Sequence, residues 1–267
     1  MLPILSRPLI DYVVTDLVKA GVEEIVFVIS EHNSQLIHYY RENLRLYKYL
    51  EKMNKVSLYG QIADLHTKAT FSFIKQQDSD QYGTGMPVKL AEDQLKQEEA
   101  FFVFMGDDFL FSPDGKSESA QMADLFYQSK ASGLTTCIKK KPEELSRYGV
   151  IAPKANGKFQ LLDHIVEKPA PGQAPSDLVN ISKYIFTPLV FDILRQQGVD
   201  KNSGELFITD TVSILAKTAP VVIYQPQGEY LDGGHPWTWL KANLMVADTD
   251  PALKKELQSF VKNQLKW

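Results

Sequence analysis

The sequence contains one cysteine, Cys137, among 267 residues. A single cysteine excludes a disulfide bond within the chain, and it favours a protein of the reducing cytoplasm. The five histidines show no metal-ligand spacing with one another or with this cysteine, which argues against a zinc site. The fold is therefore expected to depend on an ordinary hydrophobic core, for which 44% hydrophobic residues are sufficient.

Long apolar runs and an excess of positive charge are also missing. No apolar stretch approaches the ~20 residues that a membrane-spanning helix needs, so we expect no membrane partner. The net charge is -4, so no general basic field attracts nucleic acid, and we expect no nucleic-acid partner. A phosphate-bearing ligand is still compatible with this charge if local Lys and Arg side chains hold it.

Short strand-like segments alternate with helical ones through the first half of the chain. A helix is expected from Leu9 onward, and "EEIVFVIS", "ATFSFIK" and "EAFFVFMGDD" are typical of buried strands. This alternation predicts an α/β protein with a Rossmann-like, mostly parallel, doubly wound sheet. From about 146 to 186 the strands follow one another closely, with turn residues between them, which predicts a small antiparallel β insertion.

Helices are expected again at about 188–197, 205–217 and 237–245, and a final helix at the C-terminus. Asp250 is a candidate cap for that helix, and Pro251 suits its first turn. Its apolar stripe comprises Leu253, Leu257, Phe260, Val261 and Leu265. Packing of this stripe on its own domain is favoured over a dimer contact. We therefore expect a single domain over 1–249, followed by an amphipathic helix over 250–267.

Carboxylates follow the most apolar strand, where "FFVFMGDDFLF" ends in Gly106, Asp107 and Asp108. The carboxyl edge of a parallel sheet is where such folds bind ligands, and Mg²⁺ prefers one or two carboxylates plus substrate phosphates. Asp107 fits that need, although a helix-capping aspartate is an equal alternative. Asp232 in "YLDGGHPWTWL" offers a second carboxylate for the same metal, although an ordinary turn also explains it.

The segment "FIKQQDSDQYGTGMPVKL" places a polar loop and Gly83-x-Gly85 between a strand and a helix. Closely spaced glycines let a backbone approach a nucleotide, but one such pair is weak evidence. Gln76 and Gln77 each carry a donor and an acceptor, as reading a pyrimidine edge requires. Both are equally plausible as surface glutamines.

A third group of polar residues lies on successive strands of the expected insertion. These residues are Tyr148, Gly149, Glu167, Lys168, Asn180 and Lys183. A carboxylate for sugar hydroxyls beside an ammonium for phosphate forms a sugar-phosphate clamp, although a solvated Glu–Lys pair is the commoner arrangement. Further along, Glu205 and Asp210 begin an expected helix, where capping explains Glu205.

In order and spacing, these segments resemble the bacterial UTP–glucose-1-phosphate uridylyltransferases of the sugar-phosphate nucleotidyltransferase superfamily. The matching segments are "MLPILSRPLIDYVV", "AGVEEIVFVIS", "FVFMGDDFL", "SRYGVI", "IVEKP", "APSDLVNISKYIF", "GELFITDTVSIL" and "LDGGHPWTWLKA". The resemblance implies Mg²⁺-dependent conversion of UTP and glucose 1-phosphate to UDP-glucose and pyrophosphate. A homo-oligomer is a further implication.

The resemblance also implies a role for each candidate residue. Asp107 and Asp232 hold the metal, Gln76 or Gln77 reads the uracil, and Gly83 and Gly85 lie against the nucleotide beside Gly106. Tyr148, Gly149, Glu167 and Lys168 hold the glucose and its phosphate, with Lys168 counted among the catalytic residues. Lys183 stands where the family often has Arg, and it meets a phosphate without a bidentate contact.

In the family, a strand and a glycine-rich loop with Arg and Lys precede the segment that matches "MLPI". Their absence from the sequence predicts an open slot in the sheet and little or no transferase activity for the 267 residues. Two alternatives stay open at this point. One is a non-catalytic sugar-nucleotide-binding or regulatory protein, and the other is a relative that uses another nucleotide or hexose phosphate.

Overall fold

A computed structural model of the chain describes residues 1–62, 65–201 and 203–265. Its strands are β1 (Pro3–Ile4), β2 (Arg7–Pro8), β3 (Glu24–Ser30), β4 (Thr70–Gln76), β5 (Phe101–Phe104), β6 (Asp108–Phe111), β7 (Gly133–Lys139), β8 (Gly149–Asn156), β9 (Phe159–Glu167), β10 (Leu178–Phe186), β11 (Val221–Tyr224) and β12 (Glu229–Asp232). Its α-helices are α1 (Leu9–Lys19), α2 (Gln35–Tyr40), α3 (Leu44–Lys52), α4 (Tyr59–Ile62), α5 (Met86–Leu90), α6 (Glu92–Leu95), α7 (Glu118–Ser129), α8 (Leu189–Gln196), α9 (Ile208–Thr218), α10 (Pro236–Ala247) and α11 (Pro251–Phe260).

The first helix and strand follow directly from the apolar pattern. In α1, buried Leu9, Val13 and Leu17 recur at the helical spacing, as the sequence predicts. In β3, the side chains alternate, and Ile25 and Phe27 are buried. β3 pairs in parallel with β4, so that Ser30 and Gln76 end the ladder together.

The largest sheet is mixed, with the strand order β5-β10-β7-β11-β9-β8. β7 and β11 are parallel, whereas β10 is antiparallel to both β5 and β7. The α/β class and the antiparallel insertion are confirmed by β8, β9 and β10. The pairing differs from the expected mostly parallel sheet because β10, the last strand of the insertion, lies between β5 and β7 and is antiparallel to both.

A cavity of about 1090 Å³ lies between β3 and β5. Within residues 1–62, 65–201 and 203–265, β3 pairs only with β4 and β5 only with β10, so each has one edge without a strand partner. Apolar side chains from both strands, from α1 and from α5 line the cavity: Val26, Val28, Phe102, Phe104, Ile10, Val13 and Val88. The open slot expected from the sequence is present at this place.

The last helix begins as predicted, since the Asp250 carboxylate accepts hydrogen bonds from the backbone N–H groups of Ala252 and Leu253. No residue of α11 is buried, however, and the Phe260 side chain is 53% exposed. Leu257 of the apolar stripe is half-buried, so the expected packing of this stripe on its own domain is at most partial in α11 and stays a prediction. The division at residue 250 and a homo-oligomeric contact stay predictions.

Among the helices of the described part of the chain, none is long and apolar enough to cross a membrane.

Candidate active site

Two aspartates from distant parts of the sequence lie close together at the end of the β6–β12 ladder. The strands are antiparallel, with Asp108 opposite Asp232, and Asp107 directly precedes β6. The Gly233 N–H donates to the Asp107 carbonyl oxygen at 2.9 Å. A Cβ atom on Gly233 would lie 3.1 Å from that oxygen and closer still to Leu2 and Leu9. The glycine after Asp232 thus permits the close approach of the two strands.

The donor set at this place fits a magnesium ion. The Asp107 carboxylate is exposed and accepts no hydrogen bond from the described residues, so its oxygens are available. The Asp232 carboxylate accepts from the Gly234 N–H at 2.7 Å and from the Thr238 hydroxyl at 3.2 Å, which leaves further lone pairs on both oxygens. Two such carboxylates, completed by phosphate oxygens and waters, are the environment that Mg²⁺ prefers.

The alternative interpretations of these aspartates have different outcomes. Ser117, not Asp107, caps the following helix α7, so the capping interpretation of Asp107 is wrong. Asp232 does form a turn with Gly234, so the turn interpretation is confirmed, and the metal-binding interpretation stays a prediction. Gly106 borders the cavity, and an added Cβ would lie 3.6 Å from Ile10, an ordinary contact.

Beneath the carboxylates lies a buried charged group that we call the Asp108 anchor, made of Asp108, Lys183 and Tyr230. The Lys183 ammonium forms an ion pair with one Asp108 carboxylate oxygen, and the Tyr230 hydroxyl donates to the other at 2.8 Å. Burial raises the pKa of Tyr230, and the negative charges of Asp108, Asp232 and Asp107 raise it further. All three carboxylates therefore lie near one phenol.

The predicted phosphate contact of Lys183 is not available in this arrangement. Its side chain has 0% exposure, and its ammonium lies 5.0 Å from the centre of the Phe104 ring. Asn180, named with it, is also buried, where its side-chain amide donates to the Tyr184 hydroxyl and accepts from the Thr135 hydroxyl. Both side chains therefore bind protein groups instead of facing a ligand.

The Gly83-x-Gly85 loop packs against the backbone of Leu206. Gly83 has a φ of +126°, and an added Cβ would lie 2.5 Å from the Leu206 backbone nitrogen and oxygen. The Gly85 N–H donates to the Leu206 carbonyl at 2.7 Å, and the Thr84 hydroxyl accepts from the Ile208 N–H at 3.1 Å. These contacts require glycine without any nucleotide, and the predicted role beside a nucleotide stays untested.

Gln76 and Gln77 lie at the carboxyl end of β4. Gln76 is half-buried and its amide donates to the Gln81 carbonyl at 3.4 Å. Gln77 is exposed, and its amide donates to the Lys75 carbonyl at 3.4 Å. Both contacts are long and solvent-accessible, so either amide can exchange its partner for a ligand.

The sugar-phosphate candidates Gly149, Glu167 and Lys168 come together on β8 and β9. Gly149 pairs with Glu167, and an added Cβ would lie 2.9 Å from the Glu167 carboxylate. The Lys168 N–H donates to the Tyr148 carbonyl at 3.1 Å, and Lys168 has a φ of +44°. Residues other than glycine rarely adopt a positive φ, and the few that do are found most often at functional sites.

Several charges converge on the Glu167 carboxyl. Burial raises its pKa, the Lys168 ammonium acts in the opposite direction, and the carboxylates of Asp210 and Glu205 raise it further. Glu205 precedes α9, which begins at Ile208, so the predicted capping role of Glu205 is wrong. Its charge instead lies beside the candidate sugar site.

Residues 204–210 connect the two halves of the site. Leu206 contacts the Gly83-x-Gly85 loop, whereas the Thr209 methyl would lie 3.8 Å from a Cβ on Gly149. Sequence reasoning missed Thr84 and Leu206 because their partners lie more than a hundred positions away. It missed Asp108 because the strand-end pattern does not distinguish which of two adjacent aspartates is buried.

Comparisons with known proteins cover nearly the whole chain. A family model described as "Nucleotidyl transferase" matches residues 1–249. A UTP–glucose-1-phosphate uridylyltransferase 2 of Streptococcus pyogenes serotype M3 is 32% identical over 98% of this chain and 87% of its own length. A UTP–glucose-1-phosphate uridylyltransferase of Streptococcus pneumoniae serotype 4 is equally similar, with 32% identity over the same shares of the two chains.

Two solved structures are similar to the whole fold. A crystal structure of UDP-glucose pyrophosphorylase complexed with UDP-glucose is 29% identical and has a TM-score of 0.80, over 94% of this chain and 90% of that chain. A UTP-bound UGPase from Acinetobacter baumannii has a TM-score of 0.84 over 99% of this chain and 90% of that chain. At 24% identity, the second comparison shows the shared fold alone.

Proposed function

Because the chain belongs to the nucleotidyl transferase family, and within it to the UTP–glucose-1-phosphate uridylyltransferases, we propose that its site binds UTP and glucose 1-phosphate and forms UDP-glucose. A phosphate oxygen of glucose 1-phosphate attacks the α-phosphorus of UTP in line. The new P–O bond forms as the bond from the α-phosphorus to the β-phosphate oxygen breaks, and pyrophosphate leaves. Such a reaction depends on positioning and charge neutralisation.

The observation that carries this proposal is the meeting of Asp107 and Asp232 at one end of the β6–β12 ladder. These two carboxylates would hold the Mg²⁺ ion. When bound, the ion would neutralise charge on the phosphate oxygens. The protein's part is to hold the Asp107 backbone through the Gly233 N–H and the Asp232 carboxylate through the Gly234 N–H.

The substrate-binding roles are proposed from position. Gln76, or Gln77 beside it, pairs with the uracil edge from the end of β4. The Glu167 carboxylate accepts hydrogen bonds from glucose hydroxyls over the open face of Gly149, and Lys168 offers its ammonium to the sugar phosphate. Gly106 leaves room beside Asp107, and Tyr148 supports Lys168 through its carbonyl. The single buried cysteine, Cys137, suits the reducing cytoplasm.

The test combines binding with turnover. The full chain is titrated with UDP-glucose and, separately, with UTP in the presence of Mg²⁺, and pyrophosphate release is measured with UTP and glucose 1-phosphate. We expect the chain to bind both uridine compounds and to prefer them over the thymidine and adenosine analogues. In the Asp107→Asn and Asp232→Asn variants, we expect the Mg²⁺-dependent affinity for UDP-glucose to fall about tenfold or more. Asp114→Asn is the matched control, since Asp114 lies on the exposed turn after β6 and pairs with Lys116.

The outcomes separate the alternatives. Failure to bind either uridine compound, or a stronger response to another nucleotide, would overturn the proposed nucleotide. UDP-glucose binding without pyrophosphate release would agree with the little or no transferase activity that the sequence predicts for the 267 residues. Only if that binding were also independent of Mg²⁺ would it favour the non-catalytic sugar-nucleotide-binding protein.

A further inference from the structure

The Asp108 anchor contains a lysine whose burial needs an explanation. Lysine is almost never fully buried unless it is paired, and Lys183 has 0% exposure. Replacing a buried ion pair with apolar side chains of similar volume is often neutral or stabilising, so stability alone does not account for Lys183 and Asp108. The pair is better explained by what it holds in place.

The anchor joins one strand of the six-stranded sheet to both strands of the β6–β12 ladder. Lys183 is on β10 of the six-stranded sheet, whereas Asp108 and Tyr230 are on β6 and β12. Among the described residues, the β6–β12 ladder shares no strand pairing with the six-stranded sheet. The Lys183 ammonium binds the Asp108 carboxylate and also lies 3.4 Å from the Asp108 carbonyl oxygen, so it holds both the side chain and the backbone of β6.

The held residues are the immediate neighbours of the two candidate metal ligands. Asp108 follows Asp107 in the chain and faces Asp232 across the ladder. Tyr230 lies two positions before Asp232, and its hydroxyl donates to Asp108. A shift of Asp108 would therefore change the separation of Asp107 and Asp232.

We propose that Lys183 is a positioning residue that, through Asp108 and Tyr230, holds Asp107 and Asp232 at the separation that one divalent cation needs. This inference rests on the proposed metal-binding role of those two aspartates. Lys183 itself contacts neither the cation nor the substrate. Its role thus differs from the phosphate contact that the sequence predicts.

The experiment measures the dissociation constant of UDP-glucose with Mg²⁺ and without it, by titration calorimetry on the full chain. The ratio of the two constants, the Mg²⁺ enhancement, reports on the cation site. We expect Lys183→Met to reduce this enhancement about tenfold, as is usual when a group that supports a metal ligand is lost. Lys183→Arg retains the charge and should preserve most of the Mg²⁺ enhancement. The affinity for UDP-glucose without Mg²⁺ should stay within about twofold of the unmodified chain in both variants.

Two further variants deal with folding. Lys183→Met leaves Asp108 buried without a cation, so the double variant Lys183→Met/Asp108→Asn removes both charges and should fold. Tyr230→Phe removes only one hydroxyl and leaves the ion pair intact. Both are expected to fold and to lose Mg²⁺ enhancement, the double variant more than Tyr230→Phe. Lys154→Met, which breaks the exposed pair with Asp163, is the matched control and should change nothing.

The results distinguish this inference from the function on which it rests. If Asp107→Asn and Asp232→Asn keep the full enhancement, or if the unmodified chain has none, the proposed cation site is wrong. If those variants abolish it while folded Tyr230→Phe and the double variant both keep it, the positioning role of Lys183 is overturned.

Discussion

Gly83 illustrates how strongly a single residue is constrained in this fold. Its backbone has a φ of +126°, and its Cα lies against the Leu206 backbone. Gly83→Ala should therefore lower the free energy of unfolding by about 1–2 kcal/mol through backbone strain and by about 1–3 kcal/mol through steric overlap. Gly115→Ala is the matched control, because Gly115 has a φ of +76° with nothing within 4 Å of an added Cβ. Urea unfolding should show the larger loss for Gly83→Ala, and equal losses would contradict the overlap.

Glu167 makes the stability of the fold depend on pH. Its pKa in the folded protein is raised, first by burial, above that of an unfolded chain, about 4.3. The folded state then binds the proton more tightly, so the stabilising contribution is complete below the unfolded pKa and is lost as the pH rises through the folded pKa. Glu167→Gln should therefore be more stable than the unmodified chain at neutral pH, and the difference should vanish at low pH.

The measurement is the free energy of unfolding of both proteins from low to neutral pH. Glu143→Gln is the control, since Glu143 is an exposed residue in the 3₁₀ turn Pro142–Arg147. A Glu167→Gln variant that is less stable at neutral pH would show that the carboxylate makes a favourable contact that outweighs its burial. UDP-glucose binding should weaken in the same variant if Glu167 binds the sugar.

The sequence predicts residue types at the site better than it predicts their partners. The sequence predicts Asp107 and Asp232 because both follow strand-like segments, and the β6–β12 ladder brings them together. Lys183 has no such local signal, since its partner Asp108 lies 75 positions away. Whether a lysine is buried or exposed is decided by that tertiary contact.

At the scale of elements, β10 and β3 differ in how many neighbouring strands they have. β10 pairs with β5 on one side and β7 on the other, whereas β3 pairs with β4 alone among the described residues and borders the cavity. We expect the amides of β10 to exchange with solvent at least about a hundredfold more slowly than those of β3, because opening near β3 disrupts fewer contacts. Hydrogen exchange measured by mass spectrometry resolves the two segments, and equal protection would contradict this difference.

The position of β10 is also where sequence reasoning failed. Local patterns identify α1, β3 and the start of α11, since each depends on nearby residues. Which strands pair with one another depends on the whole chain. The apolar pattern of β10 is equally compatible with an edge strand and with a strand that is flanked on both sides. The sequence therefore predicts the insertion but not the position of its last strand between β5 and β7.

At the scale of the whole molecule, ligands should stabilise the fold through binding. UDP-glucose at about 100 times its dissociation constant, with Mg²⁺, should raise the free energy of unfolding by about 2.7 kcal/mol. Removing the metal with a chelator should take away part of that gain in the unmodified chain. The Asp107→Asn variant should show a smaller gain that the chelator does not change. Thermal unfolding measures the gain in stability of the unmodified chain and of the variant. If the chelator did not change the gain of the unmodified chain, a cation held between protein and ligand would be contradicted.

The buried pair of Lys183 and Asp108 also constrains how this sequence can diverge. Losing either partner alone leaves an unpaired charge in the interior, which costs about 3–5 kcal/mol, against a total stability of about 5–15 kcal/mol for a typical protein. Single substitutions that remove one charge are thus strongly selected against, whereas an exchange of lysine for arginine keeps the pair. Loss of both charges together is compatible with folding but not with the positioning of Asp107 and Asp232. In a set of descendants of this chain, positions 108 and 183 should therefore lose their charges only as a pair, and only where Asp107 or Asp232 is lost as well.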